Sequence, residues 1–298
     1  MNEGSGVGRI FTEKNHGRLC FSVFKAVDMK ISPTLYENER LDEVNEAITL
    51  IQKKDGLTFG TDAYLLAAFI RPSARARAVE LGAGTGIISL LLAARNKVRD
   101  TVAVELQPEF AELCTRNVSL NGFDGQIRTL HADIREVSSA HIGYEADLVF
   151  SNPPYMRTDS GLPNQVSKKN IARHETAGGI EDFCFTASRL LKYSGIFALV
   201  YRPDRLSELF SALLRAGLEP KRMTFVHANT RTSPSMVLVE SRKGGRKGLS
   251  ITPPLILYKE GGDPFSPEMT KEALQVYDTC SLYPTSDKPR KNHTEKKE

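Results

Sequence analysis

Cysteine is scarce in this chain: four in 298 residues, at positions 20, 114, 184 and 280, with no Cys-x-x-Cys pair among them. Thiols so far apart suggest neither a zinc site nor a disulfide framework, and they fit a reducing compartment. Long apolar runs are lacking as well. The longest, residues 87–94, is interrupted by Ser89 and falls well short of the ~20 residues a membrane-spanning helix needs. No charged-then-apolar leader opens the chain, so the cytoplasm is the expected location. A strong excess of either charge is also missing. Forty Lys and Arg against 36 Asp and Glu leave a formal charge of +4 and a pI near 8.8, which permits a nucleic-acid partner without demanding one. No internal repeat is visible.

What the chain does have is alternation. With 40% hydrophobic residues it can bury one large core. Apolar runs near residues 76–81, 101–105, 126–131, 146–151, 195–201, 221–227 and 235–241 read as strands. Stretches near 85–95, 108–121, 181–192 and 204–216 read as helices. This order predicts an α/β fold with a doubly wound, mainly parallel sheet. Leu218-Glu219-Pro220 should break the last of those helices. Upstream of the sheet, Leu41, Val44, Ala47, Ile48 and Ile51 carry helical spacing, and residues 62–70 read as a second helix. Residues 1–28 mix glycine, charge and scattered aromatics, which predicts a poorly ordered extension with Met29 as a candidate start. A short hairpin built on Ile10, Phe11, Leu19, Phe21, Val23 and Phe24 is the alternative. The main domain is expected over residues 29–278. Near its end Ser266-Pro267-Glu268 predicts a helix start, with Ser as cap and Pro in the first turn. A polar, Lys-rich and mobile tail is expected over 279–298.

Four of the predicted strand ends carry chemistry. Leu148-Val149-Phe150-Ser151 runs into Asn152-Pro153-Pro154-Tyr155. Neither proline can donate to a ladder, so the strand stops there, presenting an amide, rigid carbonyls and an aromatic ring. Such an edge can accept both hydrogens of a planar amino group and stack on its face. Val79-Glu80-Leu81-Gly82-Ala83-Gly84-Thr85-Gly86 is a strand end followed by a glycine-rich turn. The dinucleotide fingerprint needs a further glycine where Ile87 stands, which disfavours a pyrophosphate ligand. Glu105, ending Thr101-Val102-Ala103-Val104, can accept from two ribose hydroxyls, and Asp133, after Leu130-His131-Ala132, from an adenine amino group. A solvated charge is the ordinary reading of either acid alone; the four ends in order argue otherwise.

With these motifs the chain resembles the class I S-adenosylmethionine-dependent methyltransferases of the Asn-Pro-Pro-Tyr, amino-methylating group. Within it, the chain is most similar to the bacterial tRNA1(Val) (adenine-37-N6)-methyltransferases. That closer likeness rests on Glu39-Arg40-Leu41-Asp42, Phe59-Gly60-Thr61-Asp62-Ala63-Tyr64-Leu65-Leu66-Ala67, Ile171-Ala172-Arg173-His174-Glu175, Tyr201-Arg202-Pro203-Asp204-Arg205 and Val239-Glu240-Ser241-Arg242-Lys243-Gly244-Gly245-Arg246. Together these span nearly the whole chain from residue 32 to 277.

The resemblance implies a Rossmann-like, seven-stranded methyltransferase fold, S-adenosylmethionine as cofactor, a tRNA partner and no metal. Asn152, Pro153, Pro154 and Tyr155 would hold the target amino group. Glu80, Gly82, Gly84, Gly86, Glu105, Asp133 and Asn152 would line the donor site, with Phe59, Thr61 and Asp62 closing over its methionine end. The alternative for Thr61 or Asp62 is an ordinary helix cap. Residues 156–176 read as a long loop of the kind used for binding. Its Lys168, Lys169, Arg173 and His174 are expected at the RNA, as are Arg242, Lys243 and Arg246, with Lys247 beside them; a solvated hairpin turn is the plainer reading of that second cluster. His131 and His227 read as core or surface residues. Two other functions remain open. A protein glutamine methyltransferase uses the same grip but carries a larger helical domain before the core. A non-catalytic RNA-binding protein of this fold would not need intact Asn152-Pro153-Pro154-Tyr155.

Overall fold

Leu148, Val149 and Phe150 face alternately to the two sides of one sheet, and helices cover both sides. Burial on both faces is why this run is continuously apolar rather than alternating. The computed structural model describes residues 34–54, 60–154, 178–261 and 267–282. The chain divides into Met1–Thr34 and Leu35–Glu298, and every element below lies in the second unit.

The sheet contains β3 (Arg77–Leu81), β4 (Asp100–Glu105), β5 (Ile127–His131), β6 (Ala146–Ser151), β7 (Leu191–Tyr201), β8 (Leu218–His227) and β9 (Pro234–Lys243). Their spatial order is β5-β4-β3-β6-β7-β9-β8, all parallel except β9, which runs antiparallel to both neighbours. Two short strands, β10 (Ser250–Ile251) and β11 (Leu255–Ile256), add parallel pairings to β8. Packed on one face are α1 (Thr61–Phe69), α2 (Ile87–Ala94), α3 (Pro108–Leu120) and α7 (Lys271–Thr279). Packed on the other are α4 (Ser139–Ile142), α5 (Ile180–Leu190) and α6 (Leu206–Arg215). The doubly wound, mainly parallel α/β sheet is therefore the one the alternation predicts.

Two expectations fail. Residues 35–53 are not helical: β1 (Glu39–Asn45) and β2 (Ile48–Lys53) form an antiparallel hairpin. Asn45 Oδ1 accepts from the backbone N–H groups of Ala47 (2.9 Å) and Ile48 (3.0 Å), which builds the turn. The open edge of β2 is then paired by side chains. Asn117 exchanges two bonds with the Ile51 peptide groups, at 2.7 and 3.1 Å, and Asn121 two with those of Thr49, at 2.9 and 2.7 Å. One turn apart, on α3 and at its C-terminal cap, these amides imitate a neighbouring strand. That tertiary partner overrides the helical spacing. The terminal helix also begins later than expected. Thr270 caps it by accepting from Ala273 N at 3.1 Å, while Glu268 bonds through its carbonyl to Lys259 N at 2.8 Å. Pro267 and Glu268 thus precede the helix, and Ser266 lies outside the described residues. So do residues 1–28, the alternative hairpin within them, Met29 and the tail beyond 282.

Candidate active site

After β5 the chain returns to place β6 on the other side of β3, so the crossover direction reverses between β3 and β6. Ligands of open α/β sheets bind outside the strand C-termini at such a switch point. Leu81, Glu105, His131 and Ser151 end the four strands concerned, and the sequence motifs follow directly.

The glycine turn is fastened to β4. Gly82 N and Ala83 N both donate to the Val104 carbonyl at 2.9 Å, and Gly84 N donates to Glu105 Oε2 at 2.8 Å. Gly82, Gly84 and Gly86 have φ of 72°, 55° and 81°, the left-handed region. At Gly86 a Cβ would meet Cys114 Sγ at 2.6 Å, so α3 packs against bare backbone. At Gly84 a Cβ would meet nothing within 4 Å among the described residues, so the turn presents an open face to them. Glu105 is only 6% exposed, and its Oε1 takes Gln107 N at 2.9 Å. Each carboxylate oxygen retains further acceptor capacity.

Glu80 is placed differently from the expectation that it lines a ligand. It is 1% exposed and turns beneath the turn toward α2, where Ser89 donates to its Oε2 through both backbone N (3.2 Å) and hydroxyl. Burial pushes its carboxyl up to about 8, against the pull of the Ser89 donors. Asp133 sits beyond β5, half-buried. The guanidinium of Arg135 grips it bidentately and holds its carboxyl below the usual range.

On β6, Ser151 donates to the Leu81 carbonyl at 2.7 Å, tying the two strand ends. Asn152 Nδ2 donates to Asp62 Oδ2 at 2.8 Å, so the first turn of α1 meets the Asn-Pro-Pro segment. Pro153 is buried behind it. The far end of α1 is held by two buried cations. Lys97 Nζ donates to the carbonyls of Ala67 (2.6 Å) and Ile70 (2.7 Å), and burial pushes its ammonium down to about 8. Arg222 donates to the Phe69 carbonyl at 2.8 Å, lies 3.7 Å from the Phe69 ring centroid and pairs with Glu240. Sequence reasoning missed this anchoring, because Lys97 and Arg222 come from distant segments with no local pattern. It also missed Asn117, whose Nδ2 reaches the Thr85 carbonyl at 3.0 Å. An asparagine among the apolar positions Ala111, Cys114 and Val118 of α3 was the available signal.

Residues 53–205 match the family model described as the methyltransferase small domain. The chain belongs to that family. It is 30% identical over 228 residues to a tRNA1(Val) (adenine(37)-N6)-methyltransferase of Porphyromonas gingivalis, covering 74% of this chain and 88% of the relative. A protein of the same name from Dyadobacter fermentans is 27% identical over 230 residues, covering 77% and 93%. Among solved structures, a predicted O-methyltransferase from Agrobacterium tumefaciens matches with a TM-score of 0.59 and 25% identity, over 75% of this chain and 98% of that one.

The methyltransferase uses S-adenosylmethionine, which supplies a methyl group on a positively charged sulfur. The residues present fit it: an open turn at Gly84, the Glu105 carboxylate beside it and Asn152 across the switch point. Phe59, Tyr155, Lys168, Lys169, Arg173 and His174 lie outside the described residues. Thr61 begins α1, and the Tyr277 ring of α7 lies against that of Tyr64, centroids 4.9 Å apart, so α7 also braces the first half of α1. The basic cluster is not brought to this site. Because β9 is antiparallel, Arg242 lies level with Ile196, whereas Val237 lies level with Tyr201 at the site edge. Five residues of strand, about 17 Å, separate the two ends. There Arg242 donates to the Ser194 carbonyl at 3.0 Å and Lys243 to that of Leu191 at 2.7 Å, while Arg246 is exposed. His131 is exposed at the surface, and His227 bonds to the Thr232 carbonyl at 2.8 Å. Among the described residues no three His, Cys, Asp or Glu gather as a metal site, and no helix is long and apolar enough to cross a membrane.

Proposed function

We propose that this methyltransferase transfers the methyl group of S-adenosylmethionine to the exocyclic N6 of an adenosine in tRNA, at position 37 beside the anticodon. The reading is carried by Asn152-Pro153-Pro154 at the end of β6, across the switch point from Gly84 and Glu105. The relatives' names agree with it. An adenine amino nitrogen is a poor nucleophile, because its lone pair feeds the ring. Acceptance of its two N–H groups by the Asn152 side chain and the Pro153 carbonyl favours a pyramidal nitrogen with its lone pair aimed at the methyl. Holding the reacting atoms about 3–3.5 Å apart and in line supplies much of the acceleration. Glu105 accepts from the ribose hydroxyls and Asp133 from the adenine amino group of the donor, with Phe59 and Thr61 closing its methionine end.

The target base must leave its stack to reach this edge, and Tyr155 receives it by stacking. Lys168, Lys169, Arg173 and His174 contact the RNA, and Arg242, Lys243 and Arg246 reach phosphates from the far edge. The tRNA pool places the enzyme in the cytoplasm. The test is to incubate the enzyme with labelled donor and whole tRNA, digest the product and identify the methylated nucleoside by mass spectrometry. N6-methyladenosine at position 37 is the expected product. Label on a release factor with none on any tRNA would overturn the assignment in favour of glutamine methylation.

A further inference from the structure

We infer that Asp62 is a positioning residue for the transfer step: its carboxylate sets which end of the Asn152 amide faces the target nitrogen. The inference rests on the role just given to Asn152. A primary amide has a donor end and an acceptor end of nearly the same shape, and rotation about its last bond interchanges them. Only the acceptor end can serve a substrate amino group; the wrong end would set N–H against N–H. A carboxylate has no hydrogen to donate, so the 2.8 Å contact from Asn152 Nδ2 to Asp62 Oδ2 fixes Nδ2 toward α1 and turns Oδ1 away from it. The bond is charge-assisted and polarises the amide, which makes Oδ1 the better acceptor.

Asp62 can do this because it is itself held. Its Oδ1 accepts from Ala63 N at 2.9 Å. The helix it begins cannot slide, since the carbonyls at its other end are bound by Lys97 and Arg222, and Arg222 is locked to Glu240. This device spans β6, α1 and β8, and it assigns Asp62 to the acceptor side of the reaction rather than to the donor's methionine end.

The experiment compares wild type, Asp62→Asn, Asn152→Asp and the double exchange, measuring kcat with tRNA, donor affinity by calorimetry and the pH profile. Asp62→Asn should lower kcat roughly tenfold with donor affinity nearly unchanged, because an amide at position 62 no longer enforces one orientation. Asn152→Asp sets two carboxylates against each other, so they share a proton and kcat should fall as pH rises through neutrality. The double exchange restores one amide and one carboxylate in reversed order, still leaving an acceptor oxygen toward the substrate. It should recover kcat roughly tenfold over Asn152→Asp at about pH 8 and lose the extra pH dependence. A double exchange no better than Asn152→Asp, or an Asp62→Asn effect confined to donor affinity, would overturn the inference. The side-chain amide NMR signal of Asn152 in donor-free enzyme tests the contact itself: it should shift on Asp62→Asn, and an unmoved signal would refute the contact. If wild type methylates no tRNA, the proposed function fails while the NMR result still decides the contact.

Discussion

The two edges of the sheet solve opposite problems. At the strand C-termini, polar side chains end on backbone or on each other in sheltered positions: Glu105 on Gly84 N and Gln107 N, Ser151 on the Leu81 carbonyl, Asn152 on Asp62. At the N-terminal edge the charges are more exposed: Arg99 lies 3.3 Å and Arg77 3.7 Å from Asp100, and Lys192 pairs with Asp147. Exposed pairs of that kind contribute little stability. They leave the surface adaptable, which suits contact with phosphates but not alignment of reacting atoms. Fixed geometry belongs to one edge and bulk charge to the other, and each can be perturbed separately.

The largest effect should come from Asn152→Ala. It removes the acceptor at the reacting nitrogen while leaving Gly84 and Glu105 in place, so kcat should fall about 10²–10³-fold with donor affinity nearly intact. Single-turnover rates and calorimetry together check this; a matching loss of donor affinity would show that the edge is not divided into donor and acceptor halves. Next is Glu105→Ala, which deletes the acceptor for two backbone N–H groups, those of Gly84 and Gln107, as well as the proposed ribose contacts. Donor affinity should drop about 100-fold, near 3 kcal/mol, whereas unchanged affinity would remove Glu105 from the donor site.

Glu80→Gln should act on stability rather than on binding. Burial raises the Glu80 pKa to about 8, so between its ordinary value of 4.5 and about 8 the folded state holds a proton that the unfolded state has released. Wild-type stability therefore declines as pH rises through that window, an effect that Gln lacks. The variant's Tm relative to wild type should climb from pH 5 to about pH 8, and a constant difference would mean that Glu80 is ionised throughout. The smallest effect is expected at the far edge. Arg242→Ala with Arg246→Ala should make tRNA binding less sensitive to salt, by up to about one unit of slope for each phosphate no longer neutralised, leaving kcat at saturating tRNA unchanged. A fall in kcat instead would join the two edges into one functional surface.

Much of this arrangement is legible in the sequence. Gly82 to Gly86, Glu105, Asp133 and Asn152 stand at strand ends because apolar runs stop there, and runs buried on both faces are visible locally. Asn45 and the run from Ile48 to Ile51 are ambiguous, since Leu41, Val44, Ile48 and Ile51 satisfy helical spacing while also serving a hairpin. The choice lies with Asn117 and Asn121, roughly 70 residues away, whose amides pair the edge of β2.

The order of apolar segments, glycines and prolines determined the strands, their ends and the chemistry offered there, because those constraints act within a few residues. Tertiary structure alone decided which side chains meet. It turned Glu80 into α2 rather than toward a ligand, carried Arg242 and Lys243 to the far edge through the antiparallel run of β9, and set Asp62 against Asn152 across 90 residues of chain. Strand direction and helix placement fix such contacts, and both depend on packing summed over the whole sheet rather than on any local pattern.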